Sequence, residues 1–435
     1  MARNKKSNPF DQGDSTFSFG SVSAPGQDRA DRDRIDPSRS AAIYNEQQRR
    51  RYAMDPRLRT TALLCVCAIV AIPLTSILPT HLFDFGGFDS SVALVGNSVM
   101  GRINALSQIG SGSAAGMAVM IYLSQIIAVA IAGAALALNG AVYQGAMKNA
   151  LASPSTLGVM SGATLGNLAY TLLIALPSEL EQDSFLRVSE IQEKMNSLTT
   201  LDYIMTAQGR TLCCLAGCAI VVALVLLVAF MAGRGRISKV GLLVTGQVFT
   251  AVIASIIEMV QFYLRDFGTE SQQLAARSVV GGSFEHFYDL ASVALMAVPV
   301  LVGIVIVMAL RNRLNLLSFD DDEARSMGIS VNSTRVAVIA VCTVLTAVIV
   351  SFCGSVGFVG FIVPHLARKL VGPDFRYFIP ASIFLGALYL TVAYYLMNMS
   401  GIFQGSVGTF TSVIGVVFFA VMAVRQRARG NADWL

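Results

Sequence analysis

The sequence contains few charged residues: Asp, Glu, Lys and Arg make up only 14% of its 435 residues. Soluble domains usually carry about 25% charged residues, so this composition does not suit a water-facing surface. The mean hydropathy of +0.61 favours a lipid environment. Uncharged apolar stretches of about 20 residues, each long enough to cross a bilayer as a helix, recur between Leu58 and Val424. The sequence therefore predicts an all-α, polytopic membrane protein.

Patterns for a metal site, a redox centre or an active site are also missing. The three histidines are far apart, and all seven cysteines lie inside apolar stretches, where cysteine usually behaves as a small hydrophobic residue. No cysteine pair has ligand-like spacing, and no nucleophile or acid–base cluster converges. No phosphate loop ending in Gly-Lys-Ser/Thr occurs either, so the chain has no motif for ATP binding. Together these absences lead us to expect no metal or cofactor on this chain. The basic residues are scattered between the apolar stretches, which argues against nucleic-acid binding.

Residues 1–57 form the one long hydrophilic stretch, with 11 Lys/Arg and 8 Asp/Glu residues. This composition cannot build a hydrophobic core, so we expect a disordered tail. The stretch does not resemble a signal peptide, because the first apolar run begins only near Leu58 and is too long for such a segment.

Ten transmembrane spans are predicted, with nine as the alternative because the eighth is short and interrupted by glycine and proline. The ten lie near residues 58–79, 117–145, 155–176, 211–232, 238–260, 288–310, 333–353, 358–371, 377–398 and 405–424. With the N-terminus inside, the inner loops and C-terminal tail hold 14 Lys/Arg and the outer segments six. This bias predicts a multi-pass protein of the cell membrane, surrounded by lipid, with both termini cytoplasmic.

The chain is accordingly divided into a tail at residues 1–57, a membrane domain at residues 58–427 and a short tail at residues 428–435. An acidic segment at residues 178–208 is expected on the outside, where it could form a short amphipathic helix.

Two polar segments interrupt the apolar pattern. Residues 140–158 join the second and third spans, and Gly158, Gly162 and Gly166 then recur every four residues, which favours close helix packing. Residues 314–328 carry an acidic run that suits the first turn of a short helix. This helix is either an ordinary solvated surface element or a contact point for a cytosolic partner.

A third segment, residues 354–374, contains GFVGFIVPHLAR at 357–368 and GPD at 372–374. These three segments, in this order and at these spacings, resemble the FecCD permease family, the membrane subunits of ABC importers for ferric siderophores, haem and cobalamin. The resemblance covers residues 58–427. It implies a type II ABC importer permease fold of about ten helices, a dimer, and a translocation path along the dimer axis.

The resemblance also implies partners: a cytosolic ABC ATPase dimer that uses the ATP, a second permease subunit and an extracytoplasmic substrate-binding protein. The permease would then catalyse no reaction, and the helix within residues 314–328 would couple it to the ATPase. The residues expected at that coupling site are Asp321, Asp322, Glu323, Ala324, Arg325, Ser326, Met327 and Gly328. Small polar side chains expected to line the path are Gln144, Asn149, Gln247, Thr250 and Ser255. Helix-packing glycines are Gly158, Gly162, Gly166, Gly357 and Gly360.

The sequence departs from the family pattern at the arginines that usually meet the binding protein and at an aspartate that usually precedes one of them. By alignment, those four positions are Tyr122, Gln125, Tyr394 and Asn398. We therefore expect either a paralogous permease partner that retains the arginines or a contact through the acidic 178–208 segment. A ferric siderophore is the favoured substrate, with haem or cobalamin as alternatives.

The main alternative from another functional class is an ion-coupled secondary carrier, which usually needs ionisable residues at bilayer depth. Glu258 and Asp289 are the clear candidates, and both lie near span ends, where we interpret them as ordinary interface residues.

Overall fold

The structure is a computed structural model that describes residues 55–77, 107, 114–172, 200–232, 239–268, 270–284, 287, 289–400 and 406–428. The chain divides into residues 1–55 and 56–435, and the first unit, which holds most of the predicted tail, lies outside the described residues except for Asp55. Most of the acidic 178–208 segment and of the C-terminal tail also lies outside them.

The described residues form helices and no strand. In chain order the helices are α1 (Pro56–Ile77), α2 (Ala114–Met147), α3 (Val159–Tyr170), α4 (Thr200–Ala232), α5 (Lys239–Phe267), α6 (Glu270–Gly281), α7 (Leu290–Leu317), α8 (Asp321–Ser326), α9 (Val331–Cys353), α10 (Val359–Val371), α11 (Phe375–Ser400) and α12 (Val407–Ala428). The predicted all-α, polytopic class is confirmed.

Seven described helices are long and apolar enough to cross a membrane: α1, α2, α4, α5, α7, α9 and α11. The apolar part of α12 is shorter, and α3 and α10 have only 12 and 13 residues. At 1.5 Å per residue these two helices extend about 18 and 20 Å, less than the roughly 30 Å of a hydrocarbon core. Each of the ten predicted spans overlaps a helix, but the number of true crossings stays a prediction.

Helix α2 lies at the centre of the described helices, where it contacts α1, α7, α9, α10 and α11. It is apolar around its whole circumference, as expected of a helix surrounded by others. Glycines let its neighbours approach closely: Gly140 faces the Gly360 carbonyl of α10, and Gly133 faces the Gly386 carbonyl of α11. A side chain at Gly140 or Gly133 would collide with the opposing backbone.

The glycines at the start of α3 face α4. A Cβ atom at Gly162 would lie 2.7 Å from the Gly217 carbonyl oxygen, and one at Gly166 would collide with the Cys213 carbonyl. Gly158 precedes the helix with φ of 76°, a left-handed conformation that favours glycine. Small residues at this spacing bring the backbones of α3 and α4 together.

The turn between α9 and α10 includes two left-handed residues, Gly354 with φ of 68° and Phe358 with φ of 63°. Helix α10 extends only about 20 Å, less than the roughly 30 Å of a hydrocarbon core, so we expect this turn to lie within the membrane thickness. Non-helical backbone at that depth needs protein partners. The end of α6 and the segment after it provide them: Ser355 N–H donates to the Val279 carbonyl at 3.0 Å, and Ser283 N–H donates to the Cys353 carbonyl at 2.9 Å.

Replacement of Gly162 by valine should destabilise the protein, because the added atoms meet the α4 backbone. Overpacking of this kind costs about 1–3 kcal/mol, so the thermal unfolding midpoint of the purified protein in detergent should fall. The matched control is Ala169→Val on the same helix, at a partly exposed position. Equal midpoints for the two variants would contradict this packing of α3 on α4.

Candidate coupling and translocation site

Helix α8 is a single six-residue helix between α7 and α9, and it contacts both of them. It is closed by Gly328, whose φ of 85° favours glycine. Of the eight residues predicted for the coupling site, Ala324 is fully buried and Asp321 is partly buried. The other six are exposed, and Asp322, Glu323 and Arg325 make this outer surface strongly charged. The segment therefore has an anchoring face and a free face.

Asp321 is the ionic part of that anchoring face. Its carboxylate accepts a hydrogen bond from Lys148 Nζ at 2.9 Å, and the Arg335 guanidinium lies 3.3 Å away. Lys148 also donates to the Phe319 carbonyl, and Arg335 Nε donates to the Ala146 carbonyl at 2.9 Å. Since Ala146 belongs to the last turn of α2, this cluster joins α2, α8 and α9.

A second polar cluster holds the end of α7. Asn315 Nδ2 donates to the Asp374 carboxylate at 2.9 Å, and its Oδ1 accepts from Phe375 N–H at 2.9 Å. Partial burial by itself raises the pKa of Asp374. Hydrogen bonds from Arg376 N–H and Asn315, together with the nearby guanidinium groups, lower the pKa by more than burial raises it, so the net pKa lies below the ordinary value. The carboxylate therefore stays ionised and joins α7 to the start of α11.

The structure separates the five predicted path residues. Gln144 is buried at the end of α2, and its Nε2 has no hydrogen-bond partner among the described residues. Asn149 accepts from Leu151 N–H at 2.8 Å, which stabilises the turn after α2. The Thr250 hydroxyl donates to the Ser155 carbonyl at 3.0 Å, where α5 meets the start of α3. Gln247 and Ser255 are exposed on α5.

Helix α5 is the least covered of the long described helices, and its main contacts among them are with α3, α4 and α6. Its free surface has two sides. One side carries polar or small residues at alternating four- and three-residue spacing, which places them in one row along the helix. This polar stripe consists of Gln247, Ala251, Ala254, Glu258, Gln261 and Arg265.

The other free side of α5 carries large apolar residues: Val248, Val252, Ile256, Met259 and Tyr263. Sequence reasoning found Gln247 but interpreted Glu258 as an ordinary interface residue. The repeat of 3.5 residues across 247–265 was the signal that could have found the whole stripe.

The second acidic candidate for an ion-coupled carrier has a structural role. Asp289 is the N-cap of α7, and its carboxylate accepts from Ser292 N–H at 2.9 Å. No group of three or more His, Cys, Asp or Glu side chains is suitably placed to bind a metal within the described ranges.

The four positions where the family usually carries docking residues lie in the interface of α2 with α11. Tyr122, Gln125, Tyr394 and Asn398 are all buried, at 2%, 5%, 3% and 8% exposure. The Tyr394 hydroxyl donates to Gln125 Oε1 at 3.0 Å. These side chains hold two helices together and present no cation for a binding protein.

Comparison with known proteins gives the same architecture. The sequence model of the FecCD transport family matches residues 85–425. The cobalamin import system permease protein BtuC of Halobacterium salinarum is 30% identical over 312 residues, which is 71% of this chain and 73% of that protein. The iron(3+)-hydroxamate import system permease protein FhuB of Bacillus subtilis is 29% identical over 311 residues, 71% of each chain.

Among solved structures, an inward-facing metal-chelate type ABC transporter superimposes with a TM-score of 0.61. The match covers 84% of this chain and 99% of that chain at 22% sequence identity, a level that shows a shared fold.

Proposed function

The chain belongs to the FecCD transport family, and on that basis we propose that it is the membrane-spanning permease subunit of an ABC importer. In this role it forms, with a second permease subunit, the path by which an iron chelate crosses the cell membrane. A cytosolic ATPase dimer drives the movement, and an extracytoplasmic binding protein delivers the substrate.

The division of α8 into an anchored and a free face is the observation that carries this proposal. A short helix with four exposed residues, three of them charged, followed by two more exposed residues, is suited to dock in a groove of another protein. Its buried Ala324 anchors α8 to the protein, and its Asp321 accepts a hydrogen bond from Lys148 at the end of the central helix α2. A partner that moves α8 would therefore also move the end of α2. ATP-driven closure of an ATPase dimer can therefore displace α8 and reorient the membrane helices as rigid bodies.

The polar stripe of α5 supports a path along this helix. Polar and ionisable side chains at membrane depth are costly in lipid unless they are paired or face water. The stripe therefore faces a water-filled passage shared with the second subunit, while the side with Val252 and Met259 faces lipid. The passage contains Gln247 and Ala254 from one subunit and the equivalent surface of its partner.

An iron chelate suits a path of small and polar side chains. The stripe residues Gln247, Ala251, Ala254 and Gln261 are uncharged, so this part of the path offers no ionic site that would hold a charged ligand on its way. Relatives named for cobalamin and for iron hydroxamate show that ligand selection varies within the same fold. The permease therefore leaves selection to the binding protein, and haem or cobalamin is the alternative cargo.

The delivery step must differ from ordinary arginine docking, because Gln125 and Tyr394 are buried against each other. A paralogous permease that supplies the arginines, or the acidic 178–208 segment, provides the contact. Both termini and α8 lie on the cytoplasmic side in this arrangement, in agreement with the distribution of Lys and Arg.

The proposal is tested by purification from the native membrane in mild detergent, followed by mass spectrometry and reconstitution in liposomes. A bound P-loop ATPase and ATP-dependent uptake of a ferric chelate presented with its binding protein are expected. Uptake of a free chelate that follows a proton or sodium gradient and ignores ATP would contradict the importer. Identification of one permease or two distinguishes the homodimer from the heterodimer.

Replacement of Arg325 by glutamate should uncouple transport from ATP hydrolysis without unfolding the permease. The side chain is exposed on the free face of α8, and its ion-pair partner among the described residues is Asp322 of the same helix, at 2.8 Å. Uptake and ATP hydrolysis are measured in the same liposomes, and their ratio gives the amount of chelate transported per ATP hydrolysed. Arg313→Glu, an equal charge change at an exposed position of α7, is the control. Wild-type uptake by the Arg325 variant would refute the role of this face.

A tryptophan at Ala254 should block uptake, because it fills the passage beside the polar stripe. The same residue introduced at Val252, on the apolar side of α5, should face lipid and leave uptake close to wild type. Iron accumulation in liposomes containing equal amounts of each assembled variant is the measurement. Equal uptake by the two variants would show that the stripe does not line the path.

A further inference from the structure

We propose that Asp321 is the positioning residue that transmits the movement of α8 to the ends of α2 and α9. The inference rests on the proposed function, and it assigns separate tasks to the neighbouring acidic residues of one short helix. Asp322 and Glu323 belong to the surface that meets the ATPase, whereas Asp321 belongs to the permease interior.

Helix α8 cannot hold its own position. A six-residue helix is too short to be stable alone, because the cost of nucleation is repaid only over about 12–15 residues. Its placement therefore depends on side chains that attach it to the rest of the protein. Ala324 supplies a small apolar contact, and the Asp321 carboxylate supplies the ionic one.

The exposure of the acidic side chains separates their roles. The Asp322 side chain is 88% exposed and its partner, Arg325, lies in the same helix, so this pair links α8 to nothing else. The Asp321 side chain is 28% exposed, and both of its cationic partners come from other elements. Partly buried pairs are screened by salt less than exposed ones, so the Asp321 contacts are the persistent ones.

The backbone of Lys148 supports a mechanical role. This residue has φ of 52°, a left-handed conformation that is uncommon for a side chain other than glycine. Such residues persist where the surrounding structure holds them, and they cluster at functional sites. Lys148 directly follows the last residue of α2. Its Nζ donates to both the Phe319 carbonyl and the Asp321 carboxylate.

Arg335 completes the connection. It lies in the first turns of α9, and its side chain is only 16% exposed. One part of the guanidinium donates to the Ala146 carbonyl of α2, and another lies beside Asp321. A displacement of α8 therefore pulls on two helices at once, and one of them is the central helix against which α10 and α11 pack.

The test compares Asp321→Asn with Asp266→Asn, a matched change at an exposed position of α5 outside the polar stripe, in the full complex with its ATPase, reconstituted in liposomes. Each change removes one negative charge and keeps the side-chain shape. Transported chelate per ATP hydrolysed is the readout, since a merely structural role would lower both quantities together. Asp321→Asn should lower this ratio at least about fivefold, the lower end of ordinary coupling energies, while Asp266→Asn stays close to wild type.

Two further variants keep the test decisive. Asp321→Glu retains the charge and should recover part of the ratio. Lys148→Met removes the partner cation and should lower the ratio in the same way. This variant therefore also tests the relay if Asp321→Asn fails to fold. Equal ratios for Asp321→Asn, Lys148→Met and wild type would overturn the relay, as would loss of ATPase binding by Asp321→Asn. Absence of ATP-driven uptake in the wild-type complex would instead overturn the proposed function on which the relay rests.

Discussion

A peptide group inside a hydrocarbon layer has no water to bond, and this constraint governs the whole structure. It explains why the described chain is helical and why the one turn at membrane depth is enclosed by other segments. It also explains the glycines. Where backbones approach as closely as at Gly140 and Gly360, packing contacts hold the helices together, since lipid provides no hydrophobic force between them.

The same constraint concentrates function at places where polar groups are allowed. One is the end of the bundle with α8, where Lys148, Asp321 and Arg335 form an ionic cluster near the aqueous phase. The other is the free face of α5, where polar groups are stable only beside water. Central α2 is bonded to the first of these places: the Ala146 carbonyl in its last turn accepts from Arg335, and the rest of the helix packs against α10 and α11.

Hydropathy was enough to predict the all-α, polytopic class, and three segments at residues 140–166, 314–328 and 357–374 were enough to identify the family. They could not decide how many helices cross the membrane, because α3 and α10 are short and their depth depends on their neighbours. The acidic run at residues 320–323 predicted a charged helix, but not that Asp321 turns inward, since this depends on Lys148 from a segment more than 170 residues away. Glu258 was judged alone, although the repeat of 3.5 residues that places it in a row can be found in the sequence; only the structure shows that this row lies on an uncovered face of α5.

The short α10 has a consequence for biogenesis. A 13-residue segment that ends in Arg368 and Lys369 is too short to insert into a bilayer as an independent span. Its left-handed entry at Phe358 and its contact at Gly360 require α2 to be present already. We therefore expect α10 to insert together with α9 and after α2. The length of this one helix then favours insertion of the N-terminal half before the C-terminal half.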